Sequence, residues 1–245
     1  MDELKNDIIE GRNAVLEALR AGRAIDKLYI ARGETDRALG HIAGLARERG
    51  IAVSDCDRRK LDAMSVTKAH QGVIAVCALR SYASLDDILA VAAERGEEPF
   101  VVVCDEISDP HNLGAIIRSA ECAGAHGVII PERRAVGLTP AAVKASAGAV
   151  EYLPVAREVN LTRTIERLKK EGIWIYGTAM NGEDYRKVDF SGPKALVIGS
   201  EGEGMSRLVG ESCDKVVTLP MKGKIESLNA SVAAGILLYA MMDAK

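Results

Sequence analysis

Arg118 stands in the middle of DEISDPHNLGAIIRSAECAG, residues 105–124, among residues that could do chemistry. The apolar run FVVVC just before it reads as a buried strand, which puts the polar cluster where α/β sheets hold their ligands. Asp109 followed by Pro110 suits an N-cap and a first helical position, since proline needs no amide hydrogen there. The helix that follows is expected to bury Leu113, Ile117, Ala120 and Gly124 as one stripe. Helical side chains lean back over positions i−3 and i−4, here the small Ala115 and Gly114. The Arg118 guanidinium is therefore expected to reach toward the helix mouth and Asn112. Such a fork can hold a phosphate bidentately. The plainer alternative is a surface ion pair with Asp105, Glu106 or Glu121.

Two further stretches have the same character. LVIGSEGEGMS, residues 196–206, nearly spells a phosphate-binding loop, but Met205 takes the lysine position and two glutamates inside the loop would repel phosphate. It is not a dinucleotide fingerprint either, because Arg207 stands where the third glycine belongs. What remains is a strand and a glycine turn whose backbone can approach a ligand closely, with Glu201 as a polar contact; a simple turn is the alternative. In LPMKGKIESLNASVAAGILLYAMM, residues 219–242, a strand end leads through a basic loop into an apolar helix starting near Ser227 to Asn229. Taken singly, Ser227 or Asn229 reads as an N-cap.

The elements that must position these residues come from the rest of the chain. With 245 residues and 48% hydrophobic content there is material for one large domain or two small ones. No apolar run approaches the roughly 20 residues of a membrane span, and MDELKNDIIEGRN is too acidic and polar for a signal peptide, so a cytoplasmic protein is expected. The five cysteines are scattered without a C-x-x-C pair and the four histidines lie far apart, which suits reduced thiols and no metal. The net charge of −3 does not announce a nucleic-acid partner. Residues 1–80, however, carry 14 Lys and Arg against 12 Asp and Glu, while the remainder carries 18 against 23, so the N-terminal part is the better candidate for phosphates.

Hydrophobic periodicity predicts a first α/β unit: helix RNAVLEALRAG, strand KLYIAR, helix RALGHIAGLARERG, strand IAVSD, helix RRKLDAM and strand GVIAVCAL, closing at residue 79. Residues 80–98 read as a linker containing a short helix. A second domain over 99–245 has the strands FVVVCD, HGVIIP, EYLPVA, IWIYGTAM, ALVIGS and KVVTLP separated mostly by helices, the pattern of a largely parallel sheet.

In this order and at these strand ends, DPHNLGAIIRSA, IGSEGEGMS and LPMKGKIESLNASVAAG closely resemble the motifs of the SpoU (TrmH-type) RNA 2'-O-ribose methyltransferases of the SPOUT class. The likeness covers the whole second domain and is nearest to bacterial members that methylate a guanosine ribose of 23S rRNA. IIEGRNAVLEAL and HQGVIA resemble the small L30e-like α/β domain, RNA substrate-binding, that precedes the catalytic domain in many members. The resemblance implies an α/β-knot domain with a deep C-terminal trefoil knot, S-adenosylmethionine as cofactor, an RNA substrate and a homodimer.

It further implies catalytic positions at Arg118, Asn112, Glu201, Ser227 and Asn229, and cofactor-binding positions at Thr178, Gly199, Leu219, Met221 and Leu228. In the implied reaction a ribose 2'-hydroxyl attacks a sulfonium methyl group. Arg118 suits phosphate binding better than proton abstraction, because a guanidinium with a pKa above about 12 releases its proton only at high cost. A tRNA ribose methyltransferase, a non-catalytic RNA-binding protein of the same fold and a small-molecule binder are the competing readings.

Overall fold

The computed structural model describes residues 6–33, 36–78 and 81–242. In chain order the elements begin β1 (Asn6–Glu10), α1 (Arg12–Arg20), β2 (Ile25–Ala31), α2 (Arg37–Glu48), β3 (Ala52–Cys56), α3 (Arg58–Met64) and β4 (Val73–Ala78). They continue α4 (Leu85–Arg95), β5 (Phe100–Cys104), α5 (Pro110–Cys122), β6 (Gly127–Pro131), α6 (Pro140–Ala145), β7 (Val155–Glu158) and α7 (Leu161–Lys170). The last are β8 (Trp174–Asp184), β9 (Lys194–Ile198), α8 (Arg207–Ser212), β10 (Lys215–Thr218) and α9 (Ala230–Met242). Contacts divide the chain into two compact units, residues 1–81 with 138–152, and residues 82–137 with 153–245.

The first unit is a mixed sheet ordered β1-β4-β2-β3, with β1 and β2 antiparallel to β4 and β3 parallel to β2. Val15 and Leu19 of α1 and Leu39 and Ile42 of α2 pack with Leu28 and Val73 in its core. Periodicity does not predict β1, because NDIIE offers only two apolar residues; it becomes a strand by pairing Asn6–Glu10 against residues 74–78 of β4. Residues 79 and 80, where the first domain was expected to close, lie outside the described residues.

Glu10, at the end of β1, is buried and holds the loop beyond α3, accepting from the amides of Val66 at 3.0 Å and Thr67 at 2.9 Å and from the Ser65 hydroxyl. Burial alone would push its carboxyl up, but those donors outweigh it and hold it below its ordinary range. The segment 138–152 also belongs here, although the sequence reading runs the second domain unbroken from 99 to 245. Its Ala142, Val143 and Val150 are buried, and Lys144 Nζ donates to Thr67 Oγ1 at 3.0 Å.

The second unit is a six-stranded sheet, β10-β8-β9-β5-β6-β7, parallel throughout. β5 and β9 are buried at every position, which is why FVVVC and ALVI are apolar runs rather than alternating ones; Lys194, which opens β9, is buried with its Nζ donating to the carbonyls of Phe190 at 2.8 Å and Met241 at 2.9 Å. Leu85 and Ile88 of α4, Ile165 and Leu168 of α7 and Val209 of α8 share one core with Val101, Val103, Ala195 and Val197 of the sheet, while α9 packs on α5 and β9.

The stretch read as a linker is thus largely α4, which starts in a capping box between Ser84 and Asp87 and is built into this core. Gly127 makes room for it: a β-carbon there would stand 2.5 Å from Cγ1 of Ile88. Among the described residues no helix is long and apolar enough to cross a membrane.

Candidate active site

Asn112, Glu201 and Asn229 come from three separate segments and meet in one hydrogen-bonded cluster. α5 begins where the sequence predicts, with Asp109 Oδ1 accepting from the His111 amide at 2.8 Å and Pro110 in the first turn. That start puts Asn112, itself buried, in the opening turn. The α5 stripe comprises Leu113, Ile116, Ile117 and Ala120; Gly124 is not part of it, lying exposed beyond the helix with φ +77°. After β9 the chain is pinched into a turn by Ser200 and Gly204, whose backbones exchange bonds of 2.9 and 3.0 Å, and Glu201 projects from it. Gly199 has no room for a side chain, since a β-carbon would stand 2.2 Å from the Gly204 carbonyl carbon.

Asn229 caps α9: its Oδ1 accepts from the Ser231 amide at 3.0 Å, the Val232 amide at 3.3 Å and the Ser231 hydroxyl at 2.6 Å. With the oxygen committed to the helix, Nδ2 is turned outward and donates to Asn112 Oδ1 at 2.9 Å and to Glu201 Oε1. Asn112 Oδ1 is thereby an acceptor, so its Nδ2 faces Glu201 Oε1, at 2.8 Å. The helix cap thus sets the orientation of both amides, an assignment the hydrogen-bond network makes for itself. The Ala230 amide adds a longer bond of 3.4 Å to Glu201 Oε1, and a carboxylate at a helix N-terminus is favoured by the helix dipole.

The cluster leaves one strong acceptor unused. Among the described residues nothing bonds Oε2 of Glu201, which is free to take a hydroxyl or a cation. Arg118 stands apart from the three. It is exposed, and no hydrogen bond or ion pair with a described residue engages it. Two of the three acids that could pair with it are engaged elsewhere: Asp105 accepts from the Ser206 amide at 2.7 Å and Glu106 lies 3.5 Å from Arg134. Six positions along an α-helix turn the side chain about 120° away from Asn112, so Arg118 presents its fork to solvent. Ser227 is likewise exposed and outside the cluster.

The expected cofactor positions lie on β8, directly after β9 and on the segment after β10. β8 pairs Gly177 with Val216 and then Glu183 with Val217, so residues 178–182 bulge out of the ladder. Thr178, within β8, opens that bulge, and its hydroxyl donates to the Val197 carbonyl at 3.0 Å. Leu219 is half-buried, whereas Met221 and Leu228 are exposed apolar side chains. Two features escaped the sequence reading. Gly182 lets the bulge lie against β10, where a β-carbon would meet the Val217 carbonyl carbon at 2.6 Å. Asp105 ties the loop after β5 to the loop after β9; the signal for it was an acid directly following a wholly apolar strand.

A sequence profile of the SpoU rRNA methylase family matches residues 99–239, and one for RNA 2'-O ribose methyltransferase substrate binding matches residues 8–83. The chain belongs to the SpoU family, the TrmH-type RNA 2'-O-ribose methyltransferases. A Bacillus subtilis protein named for the TrmH family of tRNA/rRNA methyltransferases is 51% identical over 236 residues, 96% of this chain and 94% of that one. A Staphylococcus aureus protein named for the same family is 44% identical over 237 residues, 96% and 95% of the two chains.

Among solved structures, the SpoU methyltransferase AviRb from Streptomyces viridochromogenes with AdoMet superposes with a TM-score of 0.80 at 28% identity, covering 97% of this chain and 90% of that one. An AdoMet-bound rRNA methyltransferase from Sinorhizobium meliloti gives 0.74 at 26% identity, covering 97% and 87%. The expected α/β class, its parallel sheet and the preceding substrate-binding domain are borne out. S-adenosylmethionine is the cofactor of this family.

Proposed function

We propose that this protein methylates the ribose 2'-hydroxyl of a guanosine in 23S rRNA, in the cytoplasm and as a homodimer, with the trefoil knot of its class formed by the C-terminal segment. The observation that supports an active enzyme over a non-catalytic relative is the cluster of Asn112, Glu201 and Asn229, complete and with Glu201 Oε2 open. Thr178, Gly199, Leu219, Met221 and Leu228 would hold the cofactor. Their chemistry fits it: apolar side chains suit the faces of an adenine, and residues 178–182 stand outside the paired register of β8 and β10.

When bound, S-adenosylmethionine supplies an electrophilic methyl group on a sulfonium sulfur. The chain's own residues do the rest. Asn112 and Asn229 hold Glu201 in place, and Glu201 orients the polar group that reaches Oε2. Arg118, which no hydrogen bond or ion pair with a described residue engages, binds a phosphate of the substrate, and that phosphate orients the 2'-hydroxyl and shares its proton. Ser227, exposed on the segment leading to α9, is a further positioning group for the RNA. The unit formed by residues 1–81 with 138–152 supplies RNA affinity, and the unit formed by residues 82–137 with 153–245 carries the methyl transfer.

The test is to map 2'-O-methyl groups in rRNA and tRNA from cells lacking the gene, and to measure methyl transfer by the purified protein to transcribed 23S rRNA. Loss of one 23S guanosine methyl group supports the reading. Loss of a tRNA methyl group with rRNA unchanged moves the substrate to tRNA.

A further inference from the structure

The carboxyl ends of β5, β6 and β7 open into a cleft of about 500 Å³, lined in part by Glu106, Arg133, Arg134, Val159, Asn160 and Leu208. A parallel sheet brings these strand ends and the loops after them to one edge, so a ligand site there follows from topology. The cleft is large enough for one nucleotide. Arg133 is exposed and bonded to no described residue, and Arg134 reaches Glu106 only at 3.5 Å. Val159 and Leu208 leave apolar side chains in solvent on the cleft walls. Glu106 and Arg134, which pair at 3.5 Å in its lining, both hold left-handed backbone, φ +58° and +61°, without being glycine. Conformations of that kind gather at binding sites, where the surroundings hold them.

The cleft also shares its loops with the candidate active site. Asp105 and Ser206, joined at 2.7 Å, both line it; Asn112 and Glu201 stand at the other ends of the segments 105–112 and 201–206. The cleft and the Asn112–Glu201 pair are thus built on the same two loops.

We propose that this cleft seats a nucleotide neighbouring the methylated one in the RNA strand. Its base lies against Val159 and Leu208, and its phosphate rests on Arg133 and Arg134. The inference rests on the reading of the protein as an RNA 2'-O-methyltransferase. Apolar walls with flanking guanidinium groups suit single-stranded RNA, whose bases are free to leave the stack.

The test uses the full chain and a fluorescein-labelled single-stranded RNA of twelve mixed nucleotides, with anisotropy read across a salt series. Cofactor affinity is read by calorimetry, and steady-state methyl transfer by use of transcribed 23S rRNA and tRNA. The Arg133→Ala/Arg134→Ala variant is expected to bind the oligonucleotide about tenfold more weakly. Its log affinity against log salt is shallower by about 0.7, the release from one single-strand phosphate. KM for RNA rises, while kcat and cofactor affinity stay with the parent. Arg133→Lys/Arg134→Lys keeps the parent slope, and Leu208→Ser weakens binding without altering it.

Four results would overturn the proposal: unchanged affinity and slope in the double alanine variant, lost cofactor affinity, free guanosine monophosphate binding as tightly as the oligonucleotide, or an equal loss in Arg167→Ala/Lys170→Ala at the far end of α7. A parent that methylates neither RNA overturns the functional reading instead, and the oligonucleotide titration still decides the cleft.

Discussion

Asn229 does two jobs with one amide, and the two can be separated by substitution. Its oxygen caps α9 and its nitrogen orders Asn112 and Glu201. Asn229→Ala should lose both, costing about 1 kcal/mol of stability for the cap and reducing methyl transfer at least about tenfold. Asn229→Asp keeps the cap oxygen but sets a carboxylate against Glu201, so its melting point should stay nearer the parent while transfer is lost; thermal melts and single-turnover assays read the two effects. Arg118 makes the complementary case. Since no described residue engages its fork, Arg118→Ala should melt like the parent and bind cofactor normally, yet lose transfer by roughly a hundredfold or more, the scale of one positioned charge. Arg118→Lys should not restore it, because a point charge lacks the bidentate geometry. An Arg118→Ala protein with parental turnover would remove Arg118 from the mechanism.

The loop after β9 and the end of β1 show how a strand terminus is held. Gly199→Ala drives a methyl group into the backbone of Gly204 and Met205 rather than into an open cradle. The expected result is a reshaped turn at 200–204, at least a tenfold loss of cofactor affinity by calorimetry, and a melting point a few degrees lower. Glu10 governs an acid response. Its folded carboxyl sits below the ordinary value of 4.5, so the stability it contributes is complete above that value and disappears as pH falls through the lower, folded value. Glu10→Gln should be less stable at neutral pH and should flatten that acid decline, which urea melts between pH 3 and pH 7, roughly the window in which carboxylates titrate, will read.

For the whole molecule, α9 presents more apolar surface than its packing uses. Leu237, Leu238 and Met241 are buried, but Val232, Ile236 and Tyr239 remain 49, 39 and 50% exposed at helical spacing. A homodimer that covers this second stripe is expected, with Ile236→Glu giving a monomer by light scattering at micromolar concentration; a parent already monomeric there counts against it. The chain also cannot be divided at one point. Because 138–152 packs with the first unit, removing residues 1–81 would strip the partners from Ala142, Val143 and Val150.

The sequence by itself determined the parallel sheet and the family, because buried parallel strands must be continuous apolar runs and because Asp109 with Pro110 marks a helix start without tertiary help. It also marked Asn112, Glu201 and Asn229, through motifs at strand ends. It did not reveal that α4 is part of the core, that β1 exists, or that 138–152 returns to the first unit, since each owes its state to a partner distant in the chain. Nor could spacing show that Asn229 aligns both amides while Arg118 and Ser227 stay apart. Those facts depend on which hydrogen-bond donors and acceptors meet once three segments, each ordinary on its own, are brought within about 3 Å of one another.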